Sequence, residues 1–135
     1  MRSFVSLVAH AVWATERRAP FIAVDVDPWL DEQFGRAARD QRARLLGFGA
    51  APDHVHVVVS FSASLPFSEV IKTMKGRTSR LAKKQNPDAP LLAWQDGYWA
   101  ESWPPAGLAP LLEYIRCQRQ HHARAAPSER WEISG

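Results

Sequence analysis

The feature that most constrains the fold is the segment PDHVHVVVSF at residues 52–61, where two histidines lead into a β-branched run. Such a run, entered through a Pro-Asp turn, predicts a buried strand. Because side chains alternate across a strand, His54 and His56 share one face, two residues apart. Two imidazoles placed in this way can bind one divalent ion, although a pair of this kind can also serve packing alone. The segment predicts half of a metal site on a sheet.

Some sixty residues later the chain offers a tyrosine and an amide that complement this pair. Tyr114 and Gln118 are four residues apart in a predicted helix, so both side chains can point to the same place. A phenol has a pKa near 10 and is a poor nucleophile until a cation favours the phenolate or polarises the target. Together the two segments predict a metal-assisted tyrosine that attacks a phosphodiester.

Other residues compete for these roles. A tyrosine on an amphipathic helix often only buries its ring, and Tyr98 is the other tyrosine of the chain, although it lacks an amide one turn away. His10 lies among apolar strand residues and is predicted to be structural. The candidates that could replace Gln118 as the third ligand follow it closely and are Gln120, His121 and His122.

The hydrophobic pattern predicts the order β-α-β-β-α-β followed by a helix. Strands are expected at residues 4–14, 45–51, 54–61 and in the second half of 94–103. The helices are expected from Pro28, with Asp27 as N-cap, to near Arg44; from a Ser68 cap to residue 85; and over residues 108–124, with the tyrosine. This is the ferredoxin-like split β-α-β arrangement, an α+β fold with an antiparallel sheet and both main helices on one face. The other face is then available for a ligand.

The length of 135 residues fits one domain, predicted over residues 1–124, with a tail at 125–135. Apolar residues form 46% of the chain and charged residues 23%, which argues against disorder. The single cysteine, Cys117, cannot form an internal disulfide, and neither a membrane span nor a convincing leader cleavage site is evident. The sequence therefore predicts a cytoplasmic protein.

The net charge of +3 is modest, but its distribution is uneven. Residues 72–84 hold six cations and no acid, namely Lys72, Lys75, Arg77, Arg80, Lys83 and Lys84. This basic strip is typical of a surface that binds a phosphate backbone, or it is simply a solvated helix face. The nearby aromatic residues are either platforms for bases or parts of the core: Trp94, Tyr98, Trp99 and Trp103.

In this order, PDHVHVVVSF, KTMKGRTSR, WQDGYWAES and YIRCQRQHH resemble the single-tyrosine HUH transposases of small bacterial insertion sequences. The resemblance extends to their relatives associated with repeated extragenic palindromes (REP), and runs from about residue 12 to residue 122. It implies that His54, His56 and Gln118 bind Mg²⁺ or Mn²⁺. Tyr114 would attack hairpin-bearing single-stranded DNA and leave a 5′-phosphotyrosine link.

The resemblance also implies a homodimer in which the tyrosine helix can serve the partner's histidines, and a protein associated with the nucleoid. Here Pro104 and Pro105 restrict the backbone before that helix, which bears on whether it can move. The leading hypothesis is a DNA-cutting and strand-transferring enzyme. The alternative is a domesticated nucleic-acid-binding protein without turnover. A histidine-triad hydrolase is disfavoured, because Val58 stands where the third alternating histidine would be.

Overall fold

The computed structural model describes residues 7–85 and 92–120. Its strands and α-helices in chain order are β1 (Leu7–Ala14), α1 (Asp27–Asp40), β2 (Arg44–Ala51), β3 (His54–Phe61), α2 (Phe67–Gln85), β4 (Trp99–Ser102) and α3 (Leu108–Arg116). The predicted order of elements is confirmed over these residues. Some predictions extend beyond them: the start of the first strand at residues 4–6, the last helix beyond residue 120, and the domain boundary at 124 with its tail.

The strands of the described ranges form one antiparallel sheet in the order β2-β3-β1-β4. β3 pairs with β1 over eight positions, from Leu7↔Phe61 to Ala14↔His54, and with β2 on its other side. Because α1 joins β1 to β2 and α2 joins β3 to β4, the chain forms two interleaved β-α-β units. The predicted ferredoxin-like α+β fold is therefore confirmed.

Both main helices cover one face of this sheet, as predicted. The odd-numbered residues of β3 point to that face and meet apolar residues that recur at helical spacing on α1 and α2. The buried members of this layer include Trp13, Leu30, Phe34, Val55, Val57, Val59, Ile71 and Met74. Each large aliphatic side chain buried in this way contributes about 1.5–3 kcal/mol relative to an exposed one, so this layer accounts for much of the stability.

The opposite face is covered by α3, so the expectation that it stays available was wrong. Leu111 and Ile115, one turn apart on α3, pack against Val8 of β1 and Val58 of β3. A helix with such an apolar stripe must bury it, and the sheet face beside the histidines is the surface it finds. The result is a three-layer molecule in which α3 lies over the even-numbered residues of β3.

The first helix differs from its prediction at both ends. It stops at Asp40 instead of near Arg44, because Arg44 already pairs with Ser60 in the sheet. Arg42 makes the turn between the two elements with a left-handed φ of 58°. Asp27 is the first helical residue instead of the cap, and its side chain makes a tertiary ion pair that belongs to the candidate site described below.

The other helices also depart from their predicted limits. α2 begins at Phe67, so Ser68 lies inside its first turn and does not precede it as a cap. α3 ends at Arg116, where Cys117 leaves the helical conformation with φ −99° and ψ 21°. The chain is helical again at residues 118–120, and the predicted extension to 124 lies outside the described residues. Tyr114 and Gln118 are thus separated by a break in the helix.

Over the described ranges, no helix is both long enough and apolar enough to cross a membrane.

The close approach of α3 to β2 predicts a contrast between two glycines. A Cβ added at Gly49 would collide with the backbone carbonyl oxygen of Ile115. A Cβ added at Gly76, an exposed position of α2, meets nothing within 4 Å. Gly49→Ala should destabilise the protein by about 1–3 kcal/mol through overpacking. Gly76→Ala should stabilise it by about 0.5–1 kcal/mol. Urea unfolding followed by circular dichroism measures both, and equal effects would contradict this packing of α3.

Candidate metal and tyrosine site

Strand β3 places the two predicted histidines side by side under α3. His54 and His56 are both fully buried, and their ring centroids are 5.1 Å apart. Their cross-strand neighbours on β2 are the small residues Ala51 and Gly49. An imidazole nitrogen lies about 2 Å from a metal that it binds, so rings this close can reach one ion.

The Asp53 carboxylate fixes the orientation of His54. His54 donates its Nδ1–H to Asp53 Oδ1 over 2.8 Å, and Arg18 Nε donates to Asp53 Oδ2 over 2.9 Å. Since the proton of the neutral ring is then on Nδ1, the lone pair is on Nε2. A carboxylate behind a histidine is the usual support of a metal-binding imidazole. From the sequence, Asp53 was predicted only as part of the turn that precedes β3.

The charge of Asp53 is secured by its surroundings. Partial burial acts to raise the pKa of this carboxyl, but the hydrogen bond and charge of His54, together with Arg18, outweigh it. The net effect lowers the pKa of Asp53 to about 2. The carboxylate therefore stays ionised, and stays an acceptor for His54, throughout the neutral range.

His10, predicted to be structural, contacts His56 directly. Its Nε2 lies 2.9 Å from His56 Nδ1, and the two rings are stacked with centroids 5.1 Å apart. Both residues have even numbers on adjacent antiparallel strands whose register pairs Val12 with His56. The sequence shows that both histidines occupy even-numbered strand positions. Their contact could be predicted only with knowledge of the β1–β3 register.

α3 brings Tyr114 to the same place. Its ring meets that of His56 edge to face, with centroids 6.3 Å apart, and packs among the apolar residues between α3 and the sheet. Tyr98 is 42% exposed and packs against Phe67 of α2, on the other side of the sheet. Of these two tyrosines, only Tyr114 lies beside the histidines.

Gln118 is buried behind the helix break at Cys117. Its side chain is only 1% exposed, and its amide nitrogen makes a long 3.5 Å hydrogen bond to the carbonyl oxygen of Tyr114. When Nε2 is the donor, Oε1 is the atom with lone pairs for a hard cation. Gln120 is exposed, and the alternatives His121 and His122 lie outside the described residues.

An ion pair holds this segment against the body of the protein. Arg119 donates Nε and Nη2 to the two carboxylate oxygens of Asp27, over 2.8 and 2.7 Å, and Nη2 also donates to the Ile22 carbonyl. The pair joins residues 92 positions apart. Because Arg119 follows Gln118 directly, the pair fixes the backbone that carries the amide.

The donor set at this site fits a divalent cation. Within residues 7–85 and 92–120, no group of three His, Cys, Asp or Glu side chains is gathered as for a metal ion. The residues predicted as ligands from the sequence, His54, His56 and Gln118, would instead combine two imidazoles with a neutral amide. Such a mixed nitrogen and oxygen set is compatible with Mn²⁺ or Mg²⁺, whereas structural zinc sites favour cysteine.

The basic strip divides into two groups. Lys75 donates to the carbonyls of Gln95 and Gly97, and its burial lowers the pKa of this ammonium group. Arg77 donates to Gln33 of α1 over 2.8 Å. These two cations therefore tie α2 to its neighbours. The members exposed to solvent are Lys72, Arg80, Lys83 and Lys84.

Three of the four aromatic candidates contact the protein interior. Trp94 donates Nε1–H to Thr78 and packs against Trp13 in the layer under α1 and α2. Trp99 and Trp103 meet His10 edge to face, with centroids 5.3 and 6.1 Å away. These contacts favour the core interpretation over base stacking.

Comparisons with known proteins bear on these features. A sequence-family model described as "Transposase IS200 like" matches residues 3–118. The fold is similar to that of a Deinococcus radiodurans R1 protein assigned as a transposase, with 23% identity over 88% of this chain and 96% of that chain, and a TM-score of 0.68. It is also similar to a REP-associated tyrosine transposase bound to a REP hairpin, with 15% identity, coverage of 93% and 74%, and a TM-score of 0.63. Curated proteins gave no significant match.

The pair between Asp27 and Arg119 predicts a measurable stabilisation. Asp27→Asn leaves a partly buried guanidinium without its anion and should lower the free energy of unfolding by about 1–3 kcal/mol. Glu32→Gln on the same helix removes a solvent-exposed partner of Arg36 and should change it by at most about 0.5 kcal/mol. Chemical denaturation compares the two variants. Equal losses of unfolding free energy would show that the Asp27–Arg119 pair stabilises the protein no more than an exposed ion pair does.

Proposed function

The chain belongs to the IS200-like transposase family, and from that premise we propose that it cuts and rejoins single-stranded DNA through Tyr114. The observation that carries the proposal is the edge-to-face contact of Tyr114 with His56, 6.3 Å between centroids within one chain. It brings a phenol to a buried imidazole pair. A hydroxyl nucleophile beside a cation site is the arrangement that phosphoryl transfer needs.

We propose Mg²⁺ or Mn²⁺ as the cofactor, held by the Nε2 atoms of His54 and His56 and by the amide oxygen of Gln118. When bound, the ion supplies Lewis-acid stabilisation of the phosphate oxygens. Asp53 and the protein around it keep the first imidazole in the tautomer with its lone pair on Nε2. Arg119 keeps the segment that bears the amide against α1.

In the proposed reaction the phenolic oxygen of Tyr114 forms a bond to phosphorus as the bond to the 3′-oxygen of the preceding nucleotide breaks. The phenol loses its proton and the departing 3′-oxygen gains one. The product is a 5′-phosphotyrosine link. Since one phosphate ester replaces another, a DNA 3′-hydroxyl can reverse the step without ATP, and the sequence indeed lacks a Gly-x₄-Gly-Lys-Ser/Thr phosphate loop.

A hairpin-bearing single strand is the proposed substrate. The structurally similar REP-associated enzyme is bound to a REP hairpin, which supports this class of DNA. The solvent-exposed cations of α2 supply nonspecific attraction to its phosphates. Lys75 and Arg77 take part in intramolecular hydrogen bonds. We therefore propose that they contribute less to DNA binding than the solvent-exposed cations of the strip.

We further propose a homodimer. In the chain described here Tyr114 lies beside the histidines of its own subunit, and Arg119 anchors the following segment to the same chain. These contacts support a site that one chain can complete. Exchange of α3 between the partners would require the ion pair of Arg119 with Asp27 to open. This exchange stays a prediction from the family resemblance.

Covalent trapping tests the nucleophile. Wild-type protein with Mn²⁺ and a labelled hairpin-bearing single strand should give an adduct that survives SDS electrophoresis. Tyr114→Phe should bind the strand with unchanged affinity and give no adduct, because the ring remains and only the nucleophilic oxygen is lost. Tyr98→Phe is the matched control and should retain the adduct.

A companion variant separates chemistry from binding. His54→Ala should lose the adduct and keep most DNA affinity, because the exposed cations lie on another element. An adduct in Tyr114→Phe would reassign the nucleophile. The assay is repeated with single strands taken from the DNA that flanks the gene. If wild-type protein binds these strands but never forms an adduct, the noncatalytic alternative is favoured.

The contribution of the exposed cations has its own test. Lys83→Ala/Lys84→Ala should weaken DNA binding and lower the salt dependence of the binding constant by roughly 0.7 per lost phosphate contact. Arg36→Ala/Arg39→Ala on α1 removes the same charge from exposed positions outside the strip. This variant should change the DNA affinity and its salt dependence less. Fluorescence anisotropy at several salt concentrations measures this, and an equal loss from the α1 variant would contradict a local DNA surface on α2.

A further inference from the structure

We propose that His10 is a positioning residue that fixes the tautomer and ring orientation of His56. The inference rests on the proposed metal site. His10 is 6% exposed and lies on the central strand β1, with its Nε2 atom 2.9 Å from His56 Nδ1. The two rings are nearly parallel, with an interplanar angle of 17°. His10 thus contacts His56 by both a hydrogen bond and a stacked face.

The placement of protons follows from the role of His56. A neutral imidazole has one N–H and one lone pair, so binding an ion through Nε2 requires the proton on Nδ1. Nδ1–H then donates to His10 Nε2, 2.9 Å away. His10 must in turn be the tautomer with its proton on Nδ1. One hydrogen bond therefore sets the state of both rings.

The two histidines of β3 are supported in parallel ways. His54 donates Nδ1–H to the carboxylate of Asp53, and His56 donates Nδ1–H to the imidazole of His10. Supports of this kind orient a metal ligand, and their loss costs about 10–100-fold in metal affinity or activity. The difference is that His56 is supported by a neutral ring, which adds no second carboxylate beside the site.

The surroundings of His10 hold its ring in place. Trp99 and Trp103 meet it edge to face at 78° and 87°. Trp103 is itself fixed, because its Nε1–H donates to the carbonyl of Gly107 directly before α3. The ring that supports His56 is therefore packed between β3 and the residues that lead into the tyrosine helix.

Two substitutions separate support from packing. His10→Gln can place its amide oxygen near the position of Nε2 and still accept from His56. His10→Phe keeps a flat ring but has no acceptor. Isothermal titration with Mn²⁺ should show a roughly 10–100-fold weaker site in His10→Phe and an affinity of the wild-type order in His10→Gln. Thr78→Val removes the hydrogen bonds of the Thr78 hydroxyl to the Met74 carbonyl and from Trp94 on the opposite face of the sheet. This variant controls for lost stability and should leave Mn²⁺ affinity unchanged.

A direct readout needs no variant. In metal-free protein labelled with ¹⁵N, the imidazole spectrum should show His56 with its proton on Nδ1 and a coupling across the hydrogen bond to His10 Nε2. Finding the His56 proton on Nε2, or unchanged Mn²⁺ affinity and tautomer in folded His10→Phe, would overturn the inference. Failure of the proposed function would look different. Wild-type protein would then bind Mn²⁺ and show the expected His56 tautomer but never form an adduct with DNA.

Discussion

The contact between α3 and β2 at Gly49 is the constraint on which the candidate site depends. A side chain there would meet the carbonyl of Ile115, so the helix lies against the sheet only because the strand has no Cβ at this position. Ile115 follows Tyr114 directly. The same approach that buries the apolar stripe of α3 therefore brings the phenol to His56. Packing and proposed chemistry share one interface.

The cost of this arrangement is a cluster of polar groups buried between α3 and the sheet. His54 and His56 are 0% exposed, and His10 is 6% exposed. A buried polar group costs about 1–3 kcal/mol when its hydrogen bonds are lost. Asp53 and His10 each offset part of this cost by bonding one ring nitrogen. A layer selected for stability alone would use apolar residues, so the cluster is itself an argument for function.

The sequence predicted those features that follow from local periodicity. Strand alternation placed His54 and His56 on one face, and the helical spacing placed Val70 and Met74 in the core, both of which the structure confirms. It did not predict the pair between Asp27 and Arg119 or the contact of His10 with His56, because these join residues 92 and 46 positions apart through the tertiary register. Asp27 was wrongly predicted as a cap, since its carboxylate bonds a guanidinium instead of the helix N–H groups.

The distribution of charge explains how recognition and cleavage can be separate properties of one small domain. The exposed cations of the basic strip belong to α2, which packs on one face of the sheet, and Tyr114 belongs to α3, which packs on the other. The sheet lies between the two helices, so no cation of α2 can reach through the protein to a phosphate held at the tyrosine. A DNA strand bound by both must pass around an edge of the sheet. In the proposed function, attraction by α2 would set where the strand is held, and the buried donors beneath α3 would act only on the phosphate that arrives there.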